Sequence, residues 1–523
     1  MELSPVVNAL IASFEEQKQY AKEGVHPSVS GTVSLLAVLY EKARNAVEFR
    51  AEHLVRRAAI ERILKRRILL NGGPSTIAEN LILELMWAKY IDSSLVDDAK
   101  IAEIQRIIDR YLTLKHHTFS ETSHKDGVSW ETMLGLASSE IEETLVSARR
   151  REALTNFFYQ AIRPKIVLPH ADERFVNTQT YIAIERAYNQ ADHAPLLFHL
   201  MKMIQPEWFT LSAADAPAQA STLLTNLSLI SQNLVDPIGE PLSRFIRKHV
   251  PPFLLIRDFF LEVSDPRAVM ENPEEFEKKL AELASMRYQE IGIKVRRAMV
   301  RSIIYIFLTK MLFAFALEAP FDIYIAKKIS YLSLAINTLF PPVLLFLVAG
   351  FIGVPGSENT KRLIGRITKI FYHFDELKDE IDVFTTGKEI RRPILTAIFS
   401  LFYLATFLIS FGLISFVLTK LEFSIASQLI FVFFVTLVSF FAYRIRASAK
   451  EYDMADRQGF LSPLVDFFFL PILRVGHILS REIAKINIFI FLFDFILEAP
   501  LKVIFEVAEE WIRFVRIKKD EII

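Results

Sequence analysis

The sequence predicts an all-α protein in two parts, a cytoplasmic helical domain followed by a multi-pass α-helical transmembrane region. Three observations predict it. Apolar residues recur at helical spacing before residue 300, two long runs near residues 400 and 430 contain no charge, and 52% of the 523 residues are hydrophobic. That share exceeds the usual globular value, and the excess lies after Arg301, where Phe, Leu and Ile crowd together.

Lysine plus arginine is 61 and aspartate plus glutamate is 61, so no overall field draws nucleic acid or an acidic substrate. The absence of cysteine excludes disulfides, thiolate catalysis and Cys-ligated metal centres. At the start of the chain, Glu2 precedes the apolar run 6–14 and Glu15 and Glu16 follow it. That pattern is an amphipathic helix rather than a secretory signal. The amino-terminal domain is therefore expected in the cytoplasm, with the first membrane helix acting as the insertion signal.

Residues 1–300 read as one soluble helical domain. Leu36, Leu39, Tyr40 and Ala43 follow the three-and-four spacing of a helix, as do Ile101, Ile104, Ile107, Ile108 and Leu112. Helix starts are marked by Asp236-Pro237, Asp265-Pro266 and Asn272-Pro273-Glu274-Glu275, while Asn71-Gly72-Gly73-Pro74 breaks the chain before a capping box of Thr76 and Glu79. No long alternating run argues for a sheet. The charged stretch 50–67, with Arg50, Arg56, Arg57, Arg62, Lys65, Arg66 and Arg67, could meet phosphate or anionic lipid; Glu48, Glu52 and Glu61 within it favour a solvated, internally ion-paired helix. His116, His117 and His124 lack the spacing of a metal site. Gly387-Lys388 lacks the upstream glycine of a phosphate-binding loop, and no HExxH, EF-hand or GxSxG pattern occurs. No catalytic residue, metal site or cofactor is expected.

A helix rising ~1.5 Å per residue needs about 20 apolar residues to cross ~30 Å of hydrocarbon. Runs 394–418 and 423–443 meet that threshold without a charge, and the short join 419–422 makes them a hairpin (394–443). A first hairpin (301–353) would comprise 302–319, with Lys310 at its centre and Glu318 near its end, and 329–353, kinked at Pro341-Pro342. Between the hairpins, in linker 354–393, Leu363, Ile367, Ile370, Phe374, Leu377, Ile381 and Phe384 form a heptad seam, a coiled-coil pattern that more often pairs with a helix of the soluble region and otherwise suits self-association or a protein partner. Basic clusters before 302, between 353 and 394, and after 443 all fall on one side if both hairpins insert, which obeys the positive-inside rule; Lys327-Lys328 is the exception.

In the last segment, 444–523, Asp466, Arg474, His477, Arg481 and Lys485 share one face of an apolar helix. Asp494 and Glu498 share another, and 501–519 is amphipathic. Leu-Glu-Ala-Pro occurs at 317–320 and 497–500, each time at the end of a Phe-rich helix. Four to six crossings are compatible with these runs. The candidate intramembrane polar residues are thus Lys310, Asp466, Arg474, His477, Asp494 and Glu498, with Lys310 and Asp494 a natural pair. Two functions lead, ahead of an intramembrane or lipid-modifying enzyme that has only Asp494, Glu498 and His477 to offer. A membrane-anchored scaffold would use the soluble helices to bind a partner; an ion or small-solute transporter would use the intramembrane charges.

Overall fold

The computed structural model describes residues 4–15, 51–70, 77–93, 96–118, 128–169, 171–326, 331–350, 353–373, 381–385, 393–454, 462–485 and 511. These are helical almost throughout. They fall into two compact units, the first built on Met1–Phe253 with Lys369–Thr386 and the second on Leu254–Thr368 with Gly387–Asp494.

The first unit holds α1 (Pro5–Glu15), α2 (Glu52–Leu70), α3 (Ile77–Trp87), α4 (Asp98–Thr118), α5 (Trp130–Leu145), α6 (Arg149–Ile162), α7 (Glu173–Ala187), α8 (His193–Ile204), α9 (Ala220–Leu234) and α10 (Gly239–Arg247). Leu81, Ile104, Leu136, Leu197, Trp208 and Leu223 meet in one core, as the helical spacing of α4 predicts. In the basic stretch the internal ion pairs form, Arg56 with Glu52 at 3.2 Å and Arg57 with Glu61 at 2.6 Å, but these arginines are not solvated. Arg56 and Arg57 of α2 are buried, with Arg56 Nη2 2.8 Å from Glu142 and Arg57 Nη2 3.1 Å from Asp192. Arg67 is bound to Glu84 at 2.7 Å. These guanidiniums cross-link helices rather than wait for phosphate.

A second buried network centres on His199 of α8. Its Nε2 lies 2.7 Å from Glu143 of α5 and its Nδ1 3.5 Å from Glu185 of α7, while Arg151 and Lys202 also face Glu143. Burial opposes a charge on His199, but Glu185 and Glu143 outweigh it and raise the pKa from 6.5 to about 10. Burial likewise opposes ionisation of Glu143, and its bonds to His199, followed by Arg151 and Lys202, hold it down at about 2. His53 of α2, also near Arg151, is pushed down to about 3, mainly by burial, and stays neutral.

The second unit begins with α11 (Val250–Glu262), which enters it at Leu254, and continues through α12 (Pro266–Glu271) and α13 (Pro273–Phe313). The expected caps form: Asp265 accepts from the Ala268 amide, and Asn272 from the amides of Glu274 and Glu275. Helix α13 passes residue 300 without a break, running for 41 residues, about 60 Å at ~1.5 Å each. Between Pro273 and Pro320 no proline interrupts it, so the helix passes from charged to apolar sequence without a joint.

Next come α14 (Tyr331–Gly350), α15 (Ser357–Tyr372), α16 (Pro393–Lys420), α17 (Ile425–Ala449) and α18 (Ser462–Lys485). Two of them, α16 and α17, are long and apolar enough to cross a membrane. Helix α14 keeps Pro341 and Pro342 inside it, and its apolar stretch Leu332–Leu347 is shorter. Ile306, Leu345, Phe434 and Val438 form the core between α13, α14 and α17. The α16–α17 turn is closed by the Phe423 amide donating to Leu418 O at 3.0 Å and the Glu422 amide to Thr419 O at 3.1 Å, with Glu422 at φ 60°. At the base of the unit, Asp258 accepts from Arg287 Nε (2.9 Å) and from Tyr452 Oη, so the end of α17 is tied to α11 and α13.

The heptad helix does not extend to residue 384. Helix α15 stops at Tyr372, and Phe384 lies in a short strand (Phe384–Thr385) paired in parallel with Ile166–Val167, Ile166 opposite Phe384. Leu363, Ile367 and Ile370 are buried within the chain, the fate expected of a seam that pairs intramolecularly. Phe374 and Leu377 lie outside the described residues, as do Thr76, His124, Lys327 and Lys328.

Stability should follow the His199 network. Its raised pKa contributes stability that is complete below pH 6.5 and is lost as the pH climbs through about 10, whereas the Glu143 contribution is present above pH 4.5 and is lost as the pH falls through about 2. Tryptophan-monitored unfolding of the full chain, with Trp208 buried in this unit, is expected to show a lower midpoint at pH 9.5 than at pH 6. His199→Leu should flatten that alkaline slope.

Candidate functional site

Four polar side chains meet inside the second unit, although their helices are otherwise apolar: Lys310 of α13, Glu318 just beyond it, Asn337 of α14 and Ser427 of α17. Each has an exposure of 0%. Lys310 Nζ lies 3.4 Å from Glu318 Oε2 and 5.0 Å from the centre of the Phe434 ring. The other carboxylate oxygen, Oε1, accepts from Asn337 Nδ2 and from Ser427 Oγ, each at 2.7 Å. Asn337 Nδ2 also donates to Ser427 O at 3.2 Å.

The backbone explains how residues eight apart come together. Eight steps of a regular helix rotate about 80° past two full turns, which would put Glu318 on a different face from Lys310. Residues Ala314–Glu318 instead form a π-turn, and a second one spans Asp322–Ala326. One inserted residue swings the following chain back by about 100°, so Glu318 returns to the Lys310 face. Pro320 supplies the cause: it lacks an amide hydrogen and crowds the carbonyl four residues earlier, which widens the helix. The Leu-Glu-Ala-Pro sequence at 317–320 therefore widens a helix and does not end it; its copy at 497–500 lies outside the described residues.

Lys310 takes Glu318 as its partner; Asp494, one example of a partner that the sequence offers, lies outside the described residues. Arg474 and His477 are exposed on α18 and do not join the quartet; His477 instead packs its ring 5.3 Å from Phe440. Gly476 between them lets α18 press against α17, since a Cβ there would stand 2.1 Å from Thr436 O. Asp466 lies in α18 with its side chain outside the described part, and Asp494 and Glu498 lie wholly outside it. Sequence reasoning missed Asn337 and Ser427 because it weighed only charges. The usable signal was an amide in the middle of an apolar run, where an unsatisfied polar group costs roughly 2–7 kcal/mol.

Two acceptors are left over: Asn337 Oδ1 and Asp322 Oδ1 are buried and have no hydrogen-bond partner among the described residues. Chemically the quartet is a carboxylate held by one cation and two neutral donors from two other helices, so it ties three helices at a single point. Among the described residues no group of three or more acidic or histidine side chains is placed to hold a metal ion. No protein-family model matches the chain, and no curated protein or solved structure is detectably similar to it.

Removing one member of a buried pair strands the other charge, at about 3–5 kcal/mol, while replacing both with apolar side chains of similar volume is nearly neutral. Lys310→Met and Glu318→Met are each expected to lower the melting temperature in detergent strongly. The Lys310→Met/Glu318→Met double variant should recover most of the loss, apart from the donors of Asn337 and Ser427 that then lack an acceptor. A double variant as unstable as the sum of the single ones would show that the pair is not the unit that matters.

Proposed function

We propose that the chain is an integral membrane protein that holds a helical interaction unit at the cytoplasmic face of a bilayer, a membrane-anchored scaffold. The observation that supports this most is the surface of α16. Ile394, Leu401, Leu408 and Leu413 are each more than half exposed, and Phe399, Phe402 and Phe416 project outward with them. So large an apolar surface on one helix is stable in hydrocarbon and a liability in water. Helix α17 packs inward on the core and completes a hairpin. The quartet then serves as a latch that gives the apolar helices one arrangement, consistent with four side chains removed from solvent and joined to one another.

Further crossings by residues 302–319 and 329–353 belong to the same proposal, as does the cytoplasmic position of the amino-terminal unit. Their support is the basic residues Lys294, Arg296, Arg297, Arg301, Arg444 and Arg446 flanking the apolar runs. The native chain has no cysteine, so single cysteines report sidedness without background. A membrane-impermeant maleimide added to intact cells should label Lys420→Cys in the α16–α17 turn and spare Ser448→Cys beyond α17, both at exposed positions. Equal labelling of the two would reject the hairpin.

A transporter is the second reading, favoured by the buried acceptors of Asn337 and Asp322 that have no partner among the described residues and by the two π-turns beside them. The latch reading expects proteoliposomes of the native chain to show no flux of protons, sodium or potassium at pH 6 to 8. Flux that disappears in a folded Lys310→Met/Glu318→Met variant would replace the scaffold with the transporter.

A further inference from the structure

The first unit contains a cavity of about 1520 Å³ between α4, α5, the start of α6, α8 and the turn Pro206–Thr210. Its floor is apolar where Ile107, Phe198, Phe209 and Leu211 line it. Its charged side chains are unevenly committed. Glu140 is bound by Arg110 and by Tyr111 at 2.9 Å. Glu143 faces His199, Arg151 and Lys202, Glu152 is held by Lys202 at 2.9 Å, Glu103 by Lys100 at 3.2 Å, and Asp109 accepts from Gln105. Every carboxylate lining the cavity is thus already engaged.

Two of the guanidiniums are not. Arg106 and Arg149 line the cavity, are exposed, and have no side-chain partner among the described residues; Arg150 beside them rests only on the Phe14 ring, 5.5 Å from its centre. Arg149, Arg150 and Arg151 also occupy the first turn of α6, where the helix dipole opposes positive charge. The N-cap, Ala148, supplies no side-chain acceptor there. Deeper in, Arg110 is buried and held by Glu140 and by the Phe209 carbonyl at 2.9 Å, and its Nε alone has no acceptor among the described residues. The cavity therefore offers donors and positive charge around an apolar floor, a combination that calls for an anionic ligand with an apolar part. At ~300–1,000 Å³ a site fits a small molecule, and this cavity is larger.

We propose that this groove is the docking site of the scaffold for an acidic, aromatic-bearing peptide segment of a partner protein, with Arg106 and Arg149 meeting its carboxylates and Phe198 and Phe209 receiving its side chain. This rests on the scaffold reading and names the chemistry of its partner. An extended segment places alternate side chains on opposite sides, so acidic residues can face the arginine rim while aromatic ones face the floor.

The test uses the full chain in nanodiscs and a fluorescein-labelled peptide of alternating glutamate and phenylalanine, read by anisotropy. Binding is expected to weaken with added salt and to fall by ~10-fold or more in Arg106→Glu/Arg149→Glu. Arg106→Gln/Arg149→Gln should show a smaller loss of the same sign, with unchanged circular dichroism and melting. Phe209→Ala should weaken the peptide and leave polyglutamate, itself a weaker ligand, unaffected. Absence of binding to the native chain, or indifference to the arginine variants, would overturn the proposal. So would inorganic polyphosphate competing as well as the peptide, which would make the groove a site for small anions. Maleimide labelling of the same samples reads insertion separately, so loss of the docking site is distinguishable from loss of the membrane reading.

Discussion

A carboxylate withdrawn from water has to be answered by its neighbours, and the second unit is organised around one such group. Glu318 receives Lys310, Asn337 and Ser427 from three helices. Apolar packing alone is non-directional and would allow those helices to slide or rotate against one another. Short hydrogen bonds to a single buried atom do not allow it, because every displacement leaves a donor or the charge itself unpaired. The π-turns and Pro320 are part of the same device, since they bring Glu318 onto the face where its partners stand.

The first unit uses charge differently. Arg56, Arg57, Arg67 and Arg110 are drawn inward to carboxylates on neighbouring helices, and His199 joins two of them. A basic sequence stretch that could have met a phosphate is thereby consumed by the fold. Arg106 and Arg149 keep their charge at the surface, beside an apolar floor. The contrast separates cations that hold the helices together from cations available to a ligand. It arises from the positions of carboxylates far apart in sequence, such as Glu142 opposite Arg56.

Continuity of α13 links the two kinds of chemistry within one unit. Its first turns carry an Asn272 cap, Glu274 and Glu275, its middle carries Arg287 bound to Asp258, and its last turns carry Lys310 among apolar residues. A sequence-based boundary at residue 300 follows composition, which changes there. The backbone has no reason to break where composition changes, because helix propagation depends on local hydrogen bonding and the absence of proline or a capping signal.

The sequence by itself determined the helical class, the caps at Asp265 and Asn272, and the α16–α17 hairpin, since periodicity, capping and uninterrupted apolar length are local properties. Only the tertiary structure decided which partner Lys310 takes, where the heptad seam ends, and that Arg474 and His477 stand apart from the quartet. Those outcomes depend on which residues meet across helices. Asn337 and Ser427 come within 2.7 Å of Glu318 from 19 and 109 positions away, through packing that no local pattern encodes.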